Sequence, residues 1–77
     1  MKEESITKDA VEMIVVEFLK KRKYTDRVKV SEIEQNNEIW VIRGTCPIDM
    51  EGHPWAEKFE VVLDIRGRVK SADFALL

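Results

Sequence analysis

Only one cysteine, Cys46, occurs in the 77 residues, so an intrachain disulfide is impossible and a reducing compartment is expected. No apolar run is long enough to cross a membrane, and the charged amino terminus is not followed by the apolar segment of a secretion signal. These absences predict a cytoplasmic protein without a membrane partner.

An excess of charge of one sign is also lacking, because the net charge is −2. The basic run at residues 20–23 has only Tyr24 as a neighbouring aromatic residue, so we do not expect nucleic-acid binding. The chain is 44% hydrophobic and 36% charged, which is typical of a folded domain. We expect a single domain over residues 1–77 whose core is small enough for oligomerisation to be a natural supplement.

One segment, residues 7–22, has a full helical signature. Thr7 is a suitable N-cap, Asp9 places a negative charge in the first turn, and Ile6 and Val11 have the spacing of a hydrophobic staple. The residues before it, 1–5, are predicted to be disordered. One side of the helix is apolar and must be buried; it consists of Val11, Ile14, Val15, Phe18 and Leu19. Met13 and Val16 lie on the polar side, so we expect a loop or another chain to cover them.

The rest of the chain predicts four strands, at residues 27–35, 38–45, 55–65 and 68–76. A bulge near Ser31 and Glu32 would bring the first strand's apolar residues into register. Asn36-Asn37 suits a tight hairpin and Gly67 a turn with positive φ, whereas residues 46–54 are interpreted as a loop. The fold class is therefore α+β, with one helix packed on a four-stranded antiparallel meander.

Several strand residues also carry a resemblance to known proteins. The tripeptide at residues 40–42, Trp-Val-Ile, the run at 59–64, Phe-Glu-Val-Val-Leu-Asp, and Gly67-Arg68-Val69 resemble the small cystatin-like and PepSY-type α+β domains. The same pattern is similar in outline to a gas-vesicle accessory family. The resemblance implies a non-catalytic module and assigns no functional residue. Secreted PepSY proteins carry a signal peptide, which is not evident here.

The segment between the two central strands holds the only cysteine and the only histidine. A thiolate, an imidazole and carboxylates can bind a metal ion, and a cysteine near a histidine can act as a nucleophile. The alternative is that Cys46 is a small buried apolar residue. No cofactor is assigned and no catalysis is expected, since no nucleophile-base-acid set or phosphate-binding glycine loop occurs. The alternative metal set is Cys46, Asp49, Glu51 and His53.

Apolar residues exceed what one face of a sheet against a helix requires. Ile39 or Trp40, Val41 or Ile42, and Val62 must point away from the helix. A contiguous second apolar face would mark a partner surface, unless loops cover it. The sequence thus favours a protein-interaction module that forms a homodimer through an edge strand or this second face, and the alternative is a ligand- or metal-binding protein using residues 46–55. The candidate binding residues are Trp40, Trp55, Met50, His53, Met13 and Val16.

Overall fold

A computed structural model describes residues 6–23, 27–50 and 53–77, with residues 48–50 and 53–54 described by their backbone alone. The predicted disorder of residues 1–5 therefore lies outside the described residues. Helix α1 spans Lys8–Lys23, one residue later at each end than predicted. The strands that follow are β1 Lys29–Asn36, β2 Ile39–Met50, β3 His53–Asp64 and β4 Val69–Leu76.

The α+β fold class is confirmed: one helix precedes a four-stranded antiparallel sheet in the order β1-β2-β3-β4. The loop predicted at residues 46–54 was wrong, because β2 and β3 stay paired from Cys46 opposite Glu57 to Met50 opposite His53. A strand can contain Pro47 here because its partner Ala56 directs its carbonyl to β4, where it accepts from Leu77 N at 3.0 Å. No β3 group therefore requires the N–H that proline lacks.

The helix begins as predicted. Thr7 Oγ1 accepts a hydrogen bond from the backbone N–H of Ala10 at 3.2 Å, which satisfies one of the free donors of the first turn. The predicted stripe faces the sheet, with Val11, Val15 and Leu19 fully buried and the other two members partly buried. Across from it, the inner face of the sheet supplies the rest of the core: Trp40, Ile42, Cys46, Phe59, Val61 and Leu63.

The predicted bulge in β1 is confirmed. The β1–β2 register shifts between Val30, which is opposite Gly44, and Glu32, which is opposite Arg43, so Ser31 is the extra residue. The Ser31 hydroxyl donates to the Arg43 carbonyl at 3.2 Å, and this bond stabilises the bulge. As a result both Val30 and Ile33 pack against the core, which a regular strand would not allow.

Both predicted turn positions also have the expected backbone. Asn37 has φ 54° between β1 and β2, and Gly67 has φ 91° between β3 and β4. In the second turn, Asp64 Oδ1 accepts hydrogen bonds from the backbone N–H groups of Arg66 at 2.9 Å and Arg68 at 3.0 Å. These bonds, led by that of Arg68, lower the pKa of Asp64.

Helix α1 does not lie centrally over the sheet; its nearest strands are β1 and β2. Its amino-terminal end is joined to the β3–β4 turn, where Ile6 N donates to the Ile65 carbonyl at 3.3 Å. Its carboxyl-terminal end lies near Phe74 of β4, which Lys23 contacts. Within the described residues, no helix has the length and apolar character needed to cross a bilayer.

Candidate interaction surface at the β4 edge

Strand β4 is one of the two edges of the sheet, so half of its backbone groups have no strand partner within residues 6–23, 27–50 and 53–77. The hydrogen bond from Leu77 N to the Ala56 carbonyl shows which residues of β4 direct their backbone groups toward β3 and which direct them away. Antiparallel strands alternate between residues that bond to the neighbour and residues that do not. Counting back from Leu77, the residues whose N–H and C=O groups point away from β3 are Ala72, Phe74 and Leu76.

The side chains of this edge are unusually apolar and exposed. Among the described residues five large hydrophobic side chains are exposed, and three of them belong to β4 or directly follow it: Val69 (39%), Leu76 (55%) and Leu77 (67%). From Ser71 to Leu76 the only charged residue is Asp73. From Ser71 onward this edge lacks the lysines and prolines that usually prevent strands from pairing between molecules.

The inner side of β4, which faces the helix layer, is covered only in part. Phe74 is half-buried, and its ring is contacted by Lys23 Nζ at 4.0 Å and by the Arg22 guanidinium at 5.7 Å from its centroid. Lys23 Nζ also lies 2.9 Å from Glu57 Oε1, so its charge is already compensated. Beyond Phe74, Leu76 has no such cover and stays exposed.

The opposite edge, β1, has features that oppose pairing. It contains the Ser31 bulge, and it carries the carboxylates of Glu32 and Glu34. Both contact Arg43 Nη1, at 3.4 and 3.3 Å, while Arg43 Nε donates to Glu60 Oε2 at 2.9 Å. The bond to Glu60, followed by that to Glu34, raises the pKa of Arg43. A bulged and charged edge resists addition of a further strand.

The outer face of the sheet, which points away from the helix, carries the predicted second set of apolar residues. Ile39, Val41 and Val62 point to this side, while Trp40 and Ile42 belong to the core. Val41 is only 8% exposed, and Ile39 and Val62 are half-buried. Among the described residues, no large hydrophobic side chain of these strand positions is exposed on the outer face. The face is therefore a weaker partner surface than the β4 edge.

The predicted binding residues do not form one site. Trp40 is 7% exposed and lies in the core, where its indole N–H has no acceptor among the described residues. Trp55 is 49% exposed on β3, beside the carboxyl-terminal end of β4, and Met13 is 66% exposed on the helix. Val16 is half-buried. The side chains of Met50 and His53 lie outside the described residues.

The alternative metal set is also not brought together around its cysteine. Cys46 is 1% exposed, and burial, reinforced by the nearby Glu57 carboxylate, raises the pKa of its thiol, which opposes formation of the thiolate that metals bind. His53 is opposite Met50 and so lies four residues further along the ribbon, about 13 Å at the usual rise of a strand. Glu51 and the side chain of Asp49 lie outside the described residues.

Sequence reasoning did not identify Val69, Phe74, Leu76 or Leu77 as surface residues. It predicted only that residues 68–76 form a strand. The missed signal is the pair of carboxylates, Glu32 and Glu34, which β1 carries and which distinguishes that edge from β4.

No known protein family, curated protein or solved structure matches this chain. The resemblance to cystatin-like, PepSY-type and gas-vesicle accessory domains thus stays a prediction.

Proposed function

We propose that this chain is a non-catalytic protein-interaction module, working in the cytoplasm, which self-associates by adding a strand to the β4 edge. The observation that carries the proposal is the coincidence of unpaired backbone groups and exposed apolar side chains on one strand. Backbone hydrogen bonds supply affinity in this mode of recognition, and alternate side chains supply specificity.

Small size supports self-association as the form of this interaction. A domain of 77 residues buries a small fraction of its surface, and many such domains gain stability by oligomerisation. Pairing at β4 would also remove the edge that is most exposed to indiscriminate aggregation.

The test compares two charge substitutions at exposed apolar positions. Leu76→Lys places a cation on the β4 edge, and Met13→Lys places the same cation on the exposed side of the helix. Because both side chains are more than half exposed, neither change should unfold the domain. Sedimentation equilibrium over a wide concentration range measures the dimer dissociation constant of each variant and of the parent protein.

We expect Leu76→Lys to weaken the dimer by at least about tenfold, which corresponds to losing burial of one leucine on each side of the interface. Met13→Lys should leave the dissociation constant unchanged. If Met13→Lys weakens the dimer and Leu76→Lys does not, the helix surface is the interface. If the parent protein is a monomer at every concentration, self-association is wrong.

A further inference from the structure

The β4 edge is complementary to itself in one particular register, and this specifies how two copies meet. We infer that the second copy pairs antiparallel with β4 about a twofold axis through Phe74, so that the two sheets become one. The inference rests on the proposed self-association and adds its geometry. It follows from three properties of the edge: its backbone directions, its side-chain sizes and its charges.

The directions of the backbone N–H and C=O groups limit the ways in which two β4 strands can pair. A twofold axis perpendicular to the sheet keeps both helices on the same side and pairs residues equally distant from the axis. When the axis passes through Phe74, the outward-pointing residues Ala72, Phe74 and Leu76 meet Leu76, Phe74 and Ala72 of the second copy. Each of these residues then forms both of its backbone hydrogen bonds across the interface.

Pairing about an axis through a residue other than Phe74 fits the edge less well. An axis through Asp73 would place the two Asp73 carboxylates directly opposite each other, which is destabilising. An axis through Ala75 would place Leu76 opposite Phe74 of the second copy, so that large side chains meet large ones. An axis nearer the turn would include the irregularity between β3 and β4, where Lys70 is the extra residue.

The side-chain sizes suit the Phe74 register. On the inner side the exposed Leu76 is opposite the small Ala72 of the second copy, and the two Phe74 rings are adjacent. Large residues thus meet small ones on both sides of the axis, as in close-packed interfaces. The carboxyl-terminal end of the helix reaches as far as Phe74, whereas Leu76 lies beyond this contact and stays exposed.

Charges on the outer face also match. Asp73 is opposite Ala75 of the second copy, and the next residue across the sheet from Ala75 is Lys58. Neither Asp73 nor Lys58 forms an ion pair with any described residue of its own chain. Their Cα atoms would be two strand spacings apart, about 9.5 Å, and the two side chains can span this distance over a methyl group. The twofold axis generates this pair twice.

One repulsive contact opposes the arrangement. Arg22 lies beside Phe74 in each copy, and no described residue pairs with it through an ion pair. Both guanidinium groups remain exposed to solvent, so the cost is that of a surface charge pair and is reduced by salt.

Two cysteine variants test the register. Asp73→Cys and Ala75→Cys are prepared separately, mixed, and oxidised with oxidised glutathione, while each variant alone and the parent with its buried Cys46 serve as controls. In the Phe74 register, residue 73 of one copy is opposite residue 75 of the other in a non-hydrogen-bonded pair, where the Cα separation suits a disulfide. Intact mass distinguishes the mixed pair from either pair of identical chains.

We expect the mixed disulfide to form about tenfold or more faster than either identical pair, since the effective concentration is high only for matched positions. Cross-linking of Ala75→Cys alone, or of Asp73→Cys alone, would place the axis at that residue and overturn the inference. If sedimentation reports a dimer that none of the variants cross-links, the register is wrong while self-association stands. A monomer in every sample overturns both.

Charge reversal provides an independent test. Asp73→Lys should weaken the dimer about tenfold, and the combination of Asp73→Lys with Lys58→Asp should restore most of the affinity, because the pair is re-formed with opposite polarity. Glu12→Lys, on the exposed side of the helix, makes the same change in net charge and should have no effect. Equal weakening by Glu12→Lys would show that net charge, and not this pair, is responsible.

Discussion

Gly44 is the position where the structure predicts the largest effect of adding a single methyl group. It lies on the inner face of β2, opposite Val30 on one side and Phe59 on the other. A Cβ atom built on Gly44 would collide with the backbone carbonyl oxygen of Lys29 and lie 2.7 Å from Phe59 Cζ. Glycine is required for space here, because Gly44 is not among the residues with positive φ.

The loss of stability expected for Gly44→Ala depends on which atoms must move to make room for the methyl group. Phe59 is 3% exposed in the core, so its ring has little freedom to turn away, and the Lys29 oxygen belongs to a paired strand. Over-packing of a core usually costs about 1–3 kcal/mol, and the involvement of a backbone atom favours the upper part of this range. The opposite contribution, the higher strand preference of alanine over glycine, is smaller, roughly 0.5–1 kcal/mol. We therefore expect Gly44→Ala to lower the free energy of unfolding by about 2 kcal/mol.

Urea unfolding followed by far-ultraviolet circular dichroism measures this change. The double variant Gly44→Ala with Phe59→Leu separates the two contacts: it removes the Cζ contact and leaves the collision with Lys29. If Gly44→Ala costs less stability in the Phe59→Leu background than in the parent protein, the difference is assigned to the contact with Phe59. A Gly44→Ala variant as stable as the parent protein, within about 0.5 kcal/mol, would refute the argument from space.

Further predictions concern the cap, the two tryptophans and the β3–β4 turn. Thr7→Ala should lower the free energy of unfolding by about 1 kcal/mol, measured by urea unfolding, because the Ala10 N–H loses its acceptor; Thr7→Ser should recover most of it. Trp40→Lys should unfold the chain, as circular dichroism would show, whereas Trp55→Lys should leave it folded; two folded variants would mean that Trp40 is not a core residue. The lowered pKa of Asp64 means that its contribution to stability is complete above its ordinary value of 3.8 and is lost as pH falls through the lower folded value. Asp64→Asn should therefore flatten the acid limb of a plot of unfolding free energy against pH, and an unchanged slope would contradict this.

Local features of the fold were predictable because each depends on neighbouring residues. Thr7 as the cap, the bulge at Ser31, the turn residue Asn37 and the positive φ of Gly67 follow from sequence rules of short range. The continuation of β2 through Pro47 was not predictable in this way. Its missing N–H is tolerated because the β2–β3 register turns the Ala56 carbonyl toward β4, where it accepts from Leu77, a residue distant in sequence.

The candidate surface failed to emerge from the sequence for a similar reason. An apolar alternation such as that of β4 indicates a strand with one face intended for burial, but it does not tell what covers that face. Conversely, Trp40 and Met13 attracted attention as isolated residues, although one lies in the core and the other on the far side of the helix. Exposure depends on where the helix lies, which no local pattern specifies.

The width of the helix and the length of its connection to β1 nevertheless restrict where the helix can lie on the sheet. A helix with its side chains is about 10–12 Å wide, while the outer strands of a four-stranded sheet are about 14 Å apart, so one helix cannot cover the whole inner face. Five residues, 24–28, join α1 to β1, and so short a connection keeps the helix near the first strand of the meander. The helix nevertheless reaches β4 at its two ends, at the β3–β4 turn and at Phe74, so the inner face of β4 is covered as far as Phe74 and is uncovered at Leu76. On the inner face of β4, Ala72 and Phe74 pack against the core, whereas Leu76, beyond the end of the helix, is 55% exposed. The exposed end of β4 is therefore a consequence of a helix whose last residue, Lys23, lies at Phe74, before the strand ends.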